Sequence, residues 1–392
     1  MKILVVHNRY QQAGGEDQVF LEETALLEDR GHEVTRYELH NDRIATMKRA
    51  ALTRKTFWNG AVYRELGELM RREGPHVAHF HNTFPLVSPA GYYAASAAGV
   101  PVVQTLHNYR LLCPNALFYR DGGPCEDCLG KAVTWPGVVH GCYRGSSAAS
   151  AVVTGMLTAH RAARTWTRKV DAYIALTEFA RRKFVEGGLP AEKVLVKPNF
   201  VDPDPGVGEG GGGFALFVGR LSSEKGIRVL LEAWERMGES VPLKVVGDGP
   251  LSGSVVSAAH RHPGIEYLGR KPAGEVRALM KEAAVLVFPS EWYETFGRVA
   301  AEAFAAGTPA VAADIGAIAE IVEDGKTGLR FRPGDAGHLA AQVGRVLSDP
   351  GTYARMRQDA RAEFEAKYTA GRNYGMLMEI YESVSRRAGV LA

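Results

Sequence analysis

The 392-residue chain is short of three things. It has no long hydrophobic run. The opening stretch from Ile3 to Val6 is far too brief for the core of a secretion signal, and nothing approaches the ~18 apolar residues a membrane-crossing helix needs. That absence makes cytoplasm the expected location. It also has little excess charge: the formal net is +3, and no nucleic-acid recognition motif occurs, which argues against a DNA or RNA partner. Cysteine is scarce too. The four that exist, Cys113, Cys125, Cys128 and Cys142, lie inside one thirty-residue window, which does not suit a disulfide framework spread through a secreted fold.

What is present is the balance of a soluble globular protein, 46% apolar and 23% charged, at a length that fits two domains of about 200 residues. Charge is shared unevenly. Residues 1–202 carry 25 Lys and Arg against 20 Asp and Glu, whereas 203–392 carry 22 against 24. Much of the excess lies between Arg43 and Arg72, where eight basic side chains meet only Glu65 and Glu68. Such a stretch is either a solvated helix face or a contact for an anionic membrane surface at the inner leaflet.

Short apolar runs alternate with helical spacing along most of the chain. KILVVHN, HEVTRYEL, HVAHFHN, VPVVQTLHN, DAYIALT and KVLVKPN read as strands. Composition then breaks at 203–213, PDPGVGEGGGG, which holds no regular element and reads as a linker about which two domains could close. The alternation restarts with FALFVGR, LKVVGDG, GIEYLG, AVLVFPS, TPAVAAD and TGLRF. The expected class is therefore α/β, with a domain at 1–202, a second at 214–370, and a final helical segment, 371–392, long enough to reach back to the first. Both parallel sheets would present their carboxyl edges to ligands.

The densest chemistry lies in the second half. Glu294 and Glu302 bracket ETFGRVAAE, and about seventy residues upstream Arg220 and Lys225 stand in GRLSSEKG. A diphosphate needs fixed cations and backbone N–H donors; a sugar's vicinal hydroxyls suit a carboxylate. Phe296 and Gly297 open a helix whose amide groups could meet a phosphate oxygen. The ordered series GRLSSEKG, VVGDGP, YLG, FPSEWYETFGRVAAEAFAAGTPAVA and DGKTGLRF resembles the donor half of retaining glycosyltransferases of family 4, which have the GT-B fold of two facing Rossmann-like domains.

The resemblance implies roles. Arg220 and Lys225 would hold the donor diphosphate, Glu294 the hydroxyls near the reacting carbon, and Glu302 the ribose. Gly247 and Gly249 would leave room for the nucleotide. In the first half, Gly14 and Gly15 match a glycine pair at the first strand's end, and His107 matches a histidine that touches the donor sugar. Ordinary turns and strand-end structure are the rival readings for these. His79 and His81 are candidate acceptor contacts.

The Cys125–Cys128 pair is a C-x2-C turn, and Cys113 and Cys142 could complete a tetrahedral zinc site stiffening an insert at 110–145. The insert is similar to one in a subset of bacterial polysaccharide transferases. The alternative is thiols without metal. No catalytic metal is expected, since cations and a helix end already serve the diphosphate.

The function expected is transfer of a hexose from a nucleoside-diphosphate sugar, UDP-sugar ahead of GDP-sugar, to a glycan or lipid-linked acceptor with retention at the anomeric carbon. An epimerase or phosphorylase on the same architecture is the rival enzyme, and a non-catalytic sugar-nucleotide sensor the rival of another class.

Overall fold

A computed structural model describes residues 1–12 and 14–390. It divides into two compact units: Met1–Leu117 with Glu126–Pro198 and Asn373–Ala392, and Phe118–Cys125 with Asn199–Arg372. The insert of 110–145 is thus shared between them, with a two-stranded hairpin, Tyr119–Arg120 and Gly123–Pro124, counted in the second.

The first unit is built on a six-stranded sheet. Its strands in chain order are Lys2–Arg9, Glu33–His40, Val77–Phe80, Val102–Thr105, Ala172–Ala175 and Val194–Val196. Their spatial order is 2-1-3-4-5-6, and every pairing is parallel. The apolar runs form strands because helices cover both faces, so Ile3 through Val6 and all of Val77–Phe80 are buried. The helix Ala370–Arg387 places Leu377, Ile380, Tyr381 and Val384 in the same core as Ile3, Val5, Phe20 and Val77.

The second unit repeats the plan. Ala215–Val218, Leu243–Val246, Ile265–Gly269, Val285–Phe288, Ala310–Ala313 and Gly328–Phe331 form a parallel sheet of order 3-2-1-4-5-6. The order in which strands are added reverses between the first and fourth strands of this sheet, and between the first and third of the other, while all run parallel. At such a switch point the following loops diverge to opposite faces and leave a crevice at the carboxyl edge.

The glycine-rich stretch at 203–213 carries no helix or strand, yet it is not a loose tether. Gly208 N donates to Ala306 O at 2.9 Å, Gly210 N to Lys281 O at 3.0 Å and Gly212 N to Glu282 O at 2.9 Å. Arg357 adds a bond to Gly208 O. A Cβ at Gly208 would stand 2.2 Å from Lys281 O, so glycine here permits a close seam on the second unit. These residues are therefore hydrogen-bonded into the second unit, and the chain passes between units at Leu117–Phe118, Cys125–Glu126, Pro198–Asn199 and Arg372–Asn373.

Candidate functional site

In the second unit the two loops at the switch point carry the residues that the sequence singled out. Gly226 has φ +70, and a Cβ there would lie 1.8 Å from Pro289 O, so the loop after the first strand can press against the loop after the fourth. Glu291 N donates to Glu224 O at 2.9 Å across the same join. This closeness sets Lys225 against Glu294. Lys225 Nζ donates to Glu294 Oε1 at 2.5 Å, and the same oxygen accepts from Ser290 Oγ and Trp292 Nε1, both at 2.9 Å. The carboxylate is 7% exposed, and the ammonium also faces the Trp292 ring, 5.4 Å from its centroid.

Arg220 ends in solvent, its side chain 56% exposed. Its guanidinium is braced by Glu224 and by Ser222 Oγ at 3.3 Å, and Ser222 Oγ donates to Glu224 Oε1 at 2.7 Å. Burial pushes the Glu224 carboxyl up, but the Ser222 hydroxyl and then the Arg220 charge outweigh it and hold the group below its ordinary range. Glu224 was missed in the sequence, where it reads as one more loop acid. Its signal was the four-residue spacing from Arg220.

The helix Arg298–Ala305 follows. Phe296 is buried edge-on against Tyr368, with ring centroids 5.7 Å apart, so only its backbone could meet a ligand. Gly297 caps the helix, and a Cβ there would meet Ile318 Cδ1 at 2.7 Å. Glu302 Oε1 accepts from Arg298 Nε at 2.7 Å, one turn earlier, and Arg298 is a second residue that the sequence reading passed over.

Gly247 and Gly249 have an intramolecular reason to be glycine. Gly247 has φ +144 and a Cβ would stand 1.8 Å from Gly219 O; at Gly249 the nearest atom, Leu221 O, is 2.5 Å away. The loops after the first two strands touch here, and Asp248 Oδ1 closes the turn by accepting from Gly249 N and Ser252 Oγ.

In the first unit the glycine pair behaves oppositely. Gly14 has φ −124, Gly15 is the first residue of the helix Gly15–Asp29, and a Cβ on either would meet nothing within 4 Å. Neither backbone conformation nor packing demands glycine at these two positions; Gly14 is the N-cap of the helix, where glycine is a favoured residue. Asp17 sets the loop, accepting from Gly14 N at 2.9 Å and bonding His7 Nε2 at 2.9 Å. Beside it, Glu16 Oε2 accepts from Tyr10 Oη at 3.1 Å and Asn108 Nδ2 at 3.2 Å. Glu16 Oε1 is buried with no hydrogen-bond partner among the described residues, and burial drives this carboxyl up to about 8.

His107 stands at the edge of that cluster, and its Nε2 lies 3.0 Å from His81 Nδ1. His79 and His81 do not serve as acceptor contacts. Their rings are buried: His79 bonds Tyr381 Oη at 2.7 Å and Thr105 Oγ1 at 2.8 Å, and both rings face the Glu23 carboxylate. Alternation along the strand explains it, because residues 79 and 81 point to the face covered by the helix bearing Glu23.

Of the cysteines, Cys113 and Cys128 are buried and Cys142 is half-buried in the first unit, while Cys125, also half-buried, falls in the second. The turn after Cys125 is closed by Leu129 N donating to Glu126 O at 2.8 Å, and Cys128 Sγ approaches Thr134 O at 3.8 Å. The basic stretch forms the helices Arg49–Phe57 and Gly60–Glu73, with Arg43, Lys48, Arg49, Arg54, Arg64, Arg71 and Arg72 at the surface. Among the described residues no helix is long and apolar enough to cross a membrane.

Residues 13–205 match the model of Glycosyltransferase Family 4, and 207–363 that of Glycosyl transferases group 1. Glycogen synthase of Mycobacterium tuberculosis is 36% identical over 159 residues, covering 39% of this chain and 38% of its own length. The 2-deoxystreptamine glucosyltransferase of Streptomyces kanamyceticus is 27% identical over 350 residues, covering 83% and 82%. In structure the chain is similar to Anabaena HepE, solved with UDP-glucose. The TM-score is 0.70 at 19% identity, over 98% of this chain and 100% of that one.

Proposed function

Because the chain belongs to glycosyltransferase family 4 and has the GT-B fold, we propose that it transfers a hexose from a nucleoside-diphosphate sugar to an acceptor hydroxyl, with retention at the anomeric carbon. The observation that carries the proposal is the pair of braced cations at the second sheet's switch point, Arg220 on Glu224 and Lys225 on Glu294. Two fixed positive groups beside a helix start suit a diphosphate, and they would favour its departure as charge develops on the leaving oxygen.

In this reading the bond between the anomeric carbon and the diphosphate oxygen breaks, and its electron pair stays on the phosphate. The acceptor oxygen bonds to the same face of that carbon, and its proton passes to the departing phosphate oxygen. Glu294 takes the sugar hydroxyls nearest the reacting carbon, Glu302 the ribose, and the backbone at Phe296 and Gly297 a phosphate oxygen. Gly15 gives the ligand room at the first unit's edge, and His107 contacts the sugar. No metal enters the chemical step. HepE was solved with UDP-glucose, which puts a UDP-sugar first among donors.

A glycan or lipid-linked acceptor in polysaccharide or glycolipid assembly belongs to the same proposal, with the exposed cations between Arg43 and Arg72 meeting an anionic membrane surface from the cytoplasm. The four cysteines would hold a structural zinc. The C-x2-C turn offers two thiolates from one loop, and that metal would stiffen the insert and take no part in transfer.

The test is a thermal-shift panel of UDP-, GDP- and ADP-sugars followed by an acceptor assay. One sugar nucleotide should raise the melting temperature, and nucleoside diphosphate should appear only when acceptor is added. Isomerised donor without acceptor would establish an epimerase instead. An inverted anomeric centre in the product would refute retention.

A further inference from the structure

Two acid-free segments of the first unit come together in space. Residues 43–64 hold six Lys and Arg and no Asp or Glu, and residues 128–170 likewise hold six and none. Soluble surfaces ordinarily intersperse the two signs, so this bias asks for a reason. The helix Ser147–Ala162 joins the segments. On one side of it the ring of Phe57 lies over Gly155, where a Cβ would stand 3.0 Å from Phe57 Cζ, and His160 Nε2 donates to Phe57 O at 2.9 Å. On another, Thr134 Oγ1 donates to Thr154 Oγ1 at 3.1 Å, and Arg161 Nη1 donates to Lys131 O at 2.6 Å and Ala132 O at 2.8 Å. The end of the basic helix Arg49–Phe57 and the segment between Cys128 and Cys142 therefore flank the same turns of one helix.

That junction exposes large apolar side chains. Val133 is 43% exposed, Trp135 56%, Val139 65% and, at the end of the basic helix, Trp58 40%. The short helix Trp135–Val139 is held firmly from within. Thr134 and Gly137 are buried, and a Cβ at Gly137 would stand 2.8 Å from Pro114 Cγ. With that face fixed, Trp135 and Val139, one turn apart, are left to solvent. Trp58 is held as well, its ring centroid 5.6 Å from that of Tyr63 and 5.2 Å from that of Tyr93. On the same two segments Lys48, Arg49, Arg54, Lys131, Arg144 and Arg164 are exposed.

We propose that this joint surface docks on an anionic lipid bilayer, with Trp135 and Val139 entering the headgroup boundary and the cations of both segments facing lipid phosphates. The inference rests on the membrane contact proposed above for Arg43 to Arg72 and adds the cysteine-bearing insert as its apolar half. Cations alone hold a protein loosely at a charged surface; buried apolar area is the second signal that attachment takes. Tryptophan suits the water–lipid boundary, where its ring is apolar and its N–H stays wet. A bilayer also needs no carboxylate placed opposite each cation, which fits charges spread along two segments. A second copy of this chain fits poorly, because a two-fold contact would set the same cations against each other. Among the described residues no helix is long and apolar enough to cross the bilayer, so the attachment is peripheral.

The experiment is co-sedimentation of the full-length protein with vesicles of phosphatidylethanolamine and phosphatidylglycerol, and with vesicles of phosphatidylcholine alone. Binding to the anionic vesicles should be at least about 10-fold tighter than to the neutral ones and should weaken as salt is added. Trp135→Ser with Val139→Ser should lower partition into the anionic vesicles about 10-fold, and so should Lys131→Glu with Ala132→Glu. All four side chains are exposed, so melting temperature and UDP affinity should stay as they were in both double variants. If neither pair changes partition while Arg49→Glu with Arg54→Glu abolishes it, the inference is overturned and the contact proposed for Arg43 to Arg72 stands. Equal binding to both kinds of vesicle would overturn it, as would no binding to either; the second result would also end the membrane reading, and release of nucleoside diphosphate to a soluble acceptor would still decide the transferase. A concentration-dependent dimer that Trp135→Ser dissolves, seen by sedimentation velocity without lipid, would assign the surface to a second copy and overturn it too.

Discussion

Lys225 Nζ and Glu294 Oε1, separated by 69 residues in sequence, meet at 2.5 Å across the two loops of the second sheet's switch point. Each group holds the other in place, and Ser290 and Trp292 donate to the same carboxylate oxygen; the proposed function puts a ligand's charge and hydroxyls against this pair. Glu294→Gln keeps the shape and two of its acceptor bonds but loses the charge. It should lower kcat/KM by about 100-fold while moving the melting temperature little. Glu294→Ala should do both, because it strands a mostly buried ammonium. Release of nucleoside diphosphate in the presence of acceptor and a thermal melt, run on both variants, check this. Equal activity in wild type and Glu294→Gln would remove the residue from the site.

The glycines separate into two kinds with opposite expected outcomes. Gly15→Ala meets no atom within 4 Å and sits in a helix's first turn, so the variant should be as stable as the parent or more stable by about 0.5–1 kcal/mol, yet bind donor more weakly. Gly247→Ala forces a Cβ to 1.8 Å from Gly219 O at a φ of +144 and should cost more than about 2 kcal/mol. Denaturant melts of the two variants, with donor titration of the first, decide it. Unimpaired donor binding in Gly15→Ala would show the open space at the first strand's end to be idle.

Much of this arrangement was legible beforehand, for a physical reason. Strands buried on both faces must be short apolar runs, and KILVVHN through TGLRF each became one, within three residues of the boundaries. That Lys225 and Glu294 lie on adjacent loops was legible because each follows an apolar run of one parallel sheet, whose carboxyl ends share an edge. What stayed hidden depends on contacts remote in sequence. Glu23 and Lys197 stand 174 residues apart, and nothing local marks either as a core residue. His79 and His81 looked like strand-end ligands because the sequence did not show which face the helix bearing Glu23 would cover. Glycine was the least legible of all: Gly15 and Gly247 look alike in sequence, and only the structure tells open surroundings from a tight join.

The cysteine set makes a prediction that needs no assay of transfer. Purified from cells grown in zinc-replete medium, the protein should carry about one zinc per chain by elemental analysis. Cys125→Ser with Cys128→Ser should abolish it. Stripping the metal with a thiol-directed reagent and chelator should lower the melting temperature while leaving UDP affinity of the still-folded fraction intact. A protein that holds no zinc and melts alike in both forms would return the cysteines to ordinary packing.

Glu16 sets the sign of a pH dependence. Its carboxyl, ordinarily near 4.5, is driven by burial to about 8 in the folded chain, with Tyr10 and Asn108 pulling the other way and losing. Between those values the unfolded chain has released this proton and the folded chain still holds it. Unfolding therefore releases a proton, and stability falls as pH rises from about 4.5 towards 8, by at most about 1.4 kcal/mol per pH unit from this group. Below pH 4.5 both states are protonated and the contribution is fully retained; above 8 both are ionised and the loss is complete. Glu16→Gln is neutral throughout, so it should be more stable than the parent at pH 8 by about 1–3 kcal/mol, allowing for partial solvent screening at a half-exposed residue, and indistinguishable near pH 4.5. Urea melts of both proteins at pH 5, 6.5 and 8 measure the divergence. Parallel stability curves would mean that the Glu16 carboxylate is already ionised in the folded chain, with a counter-charge or water at the buried Oε1.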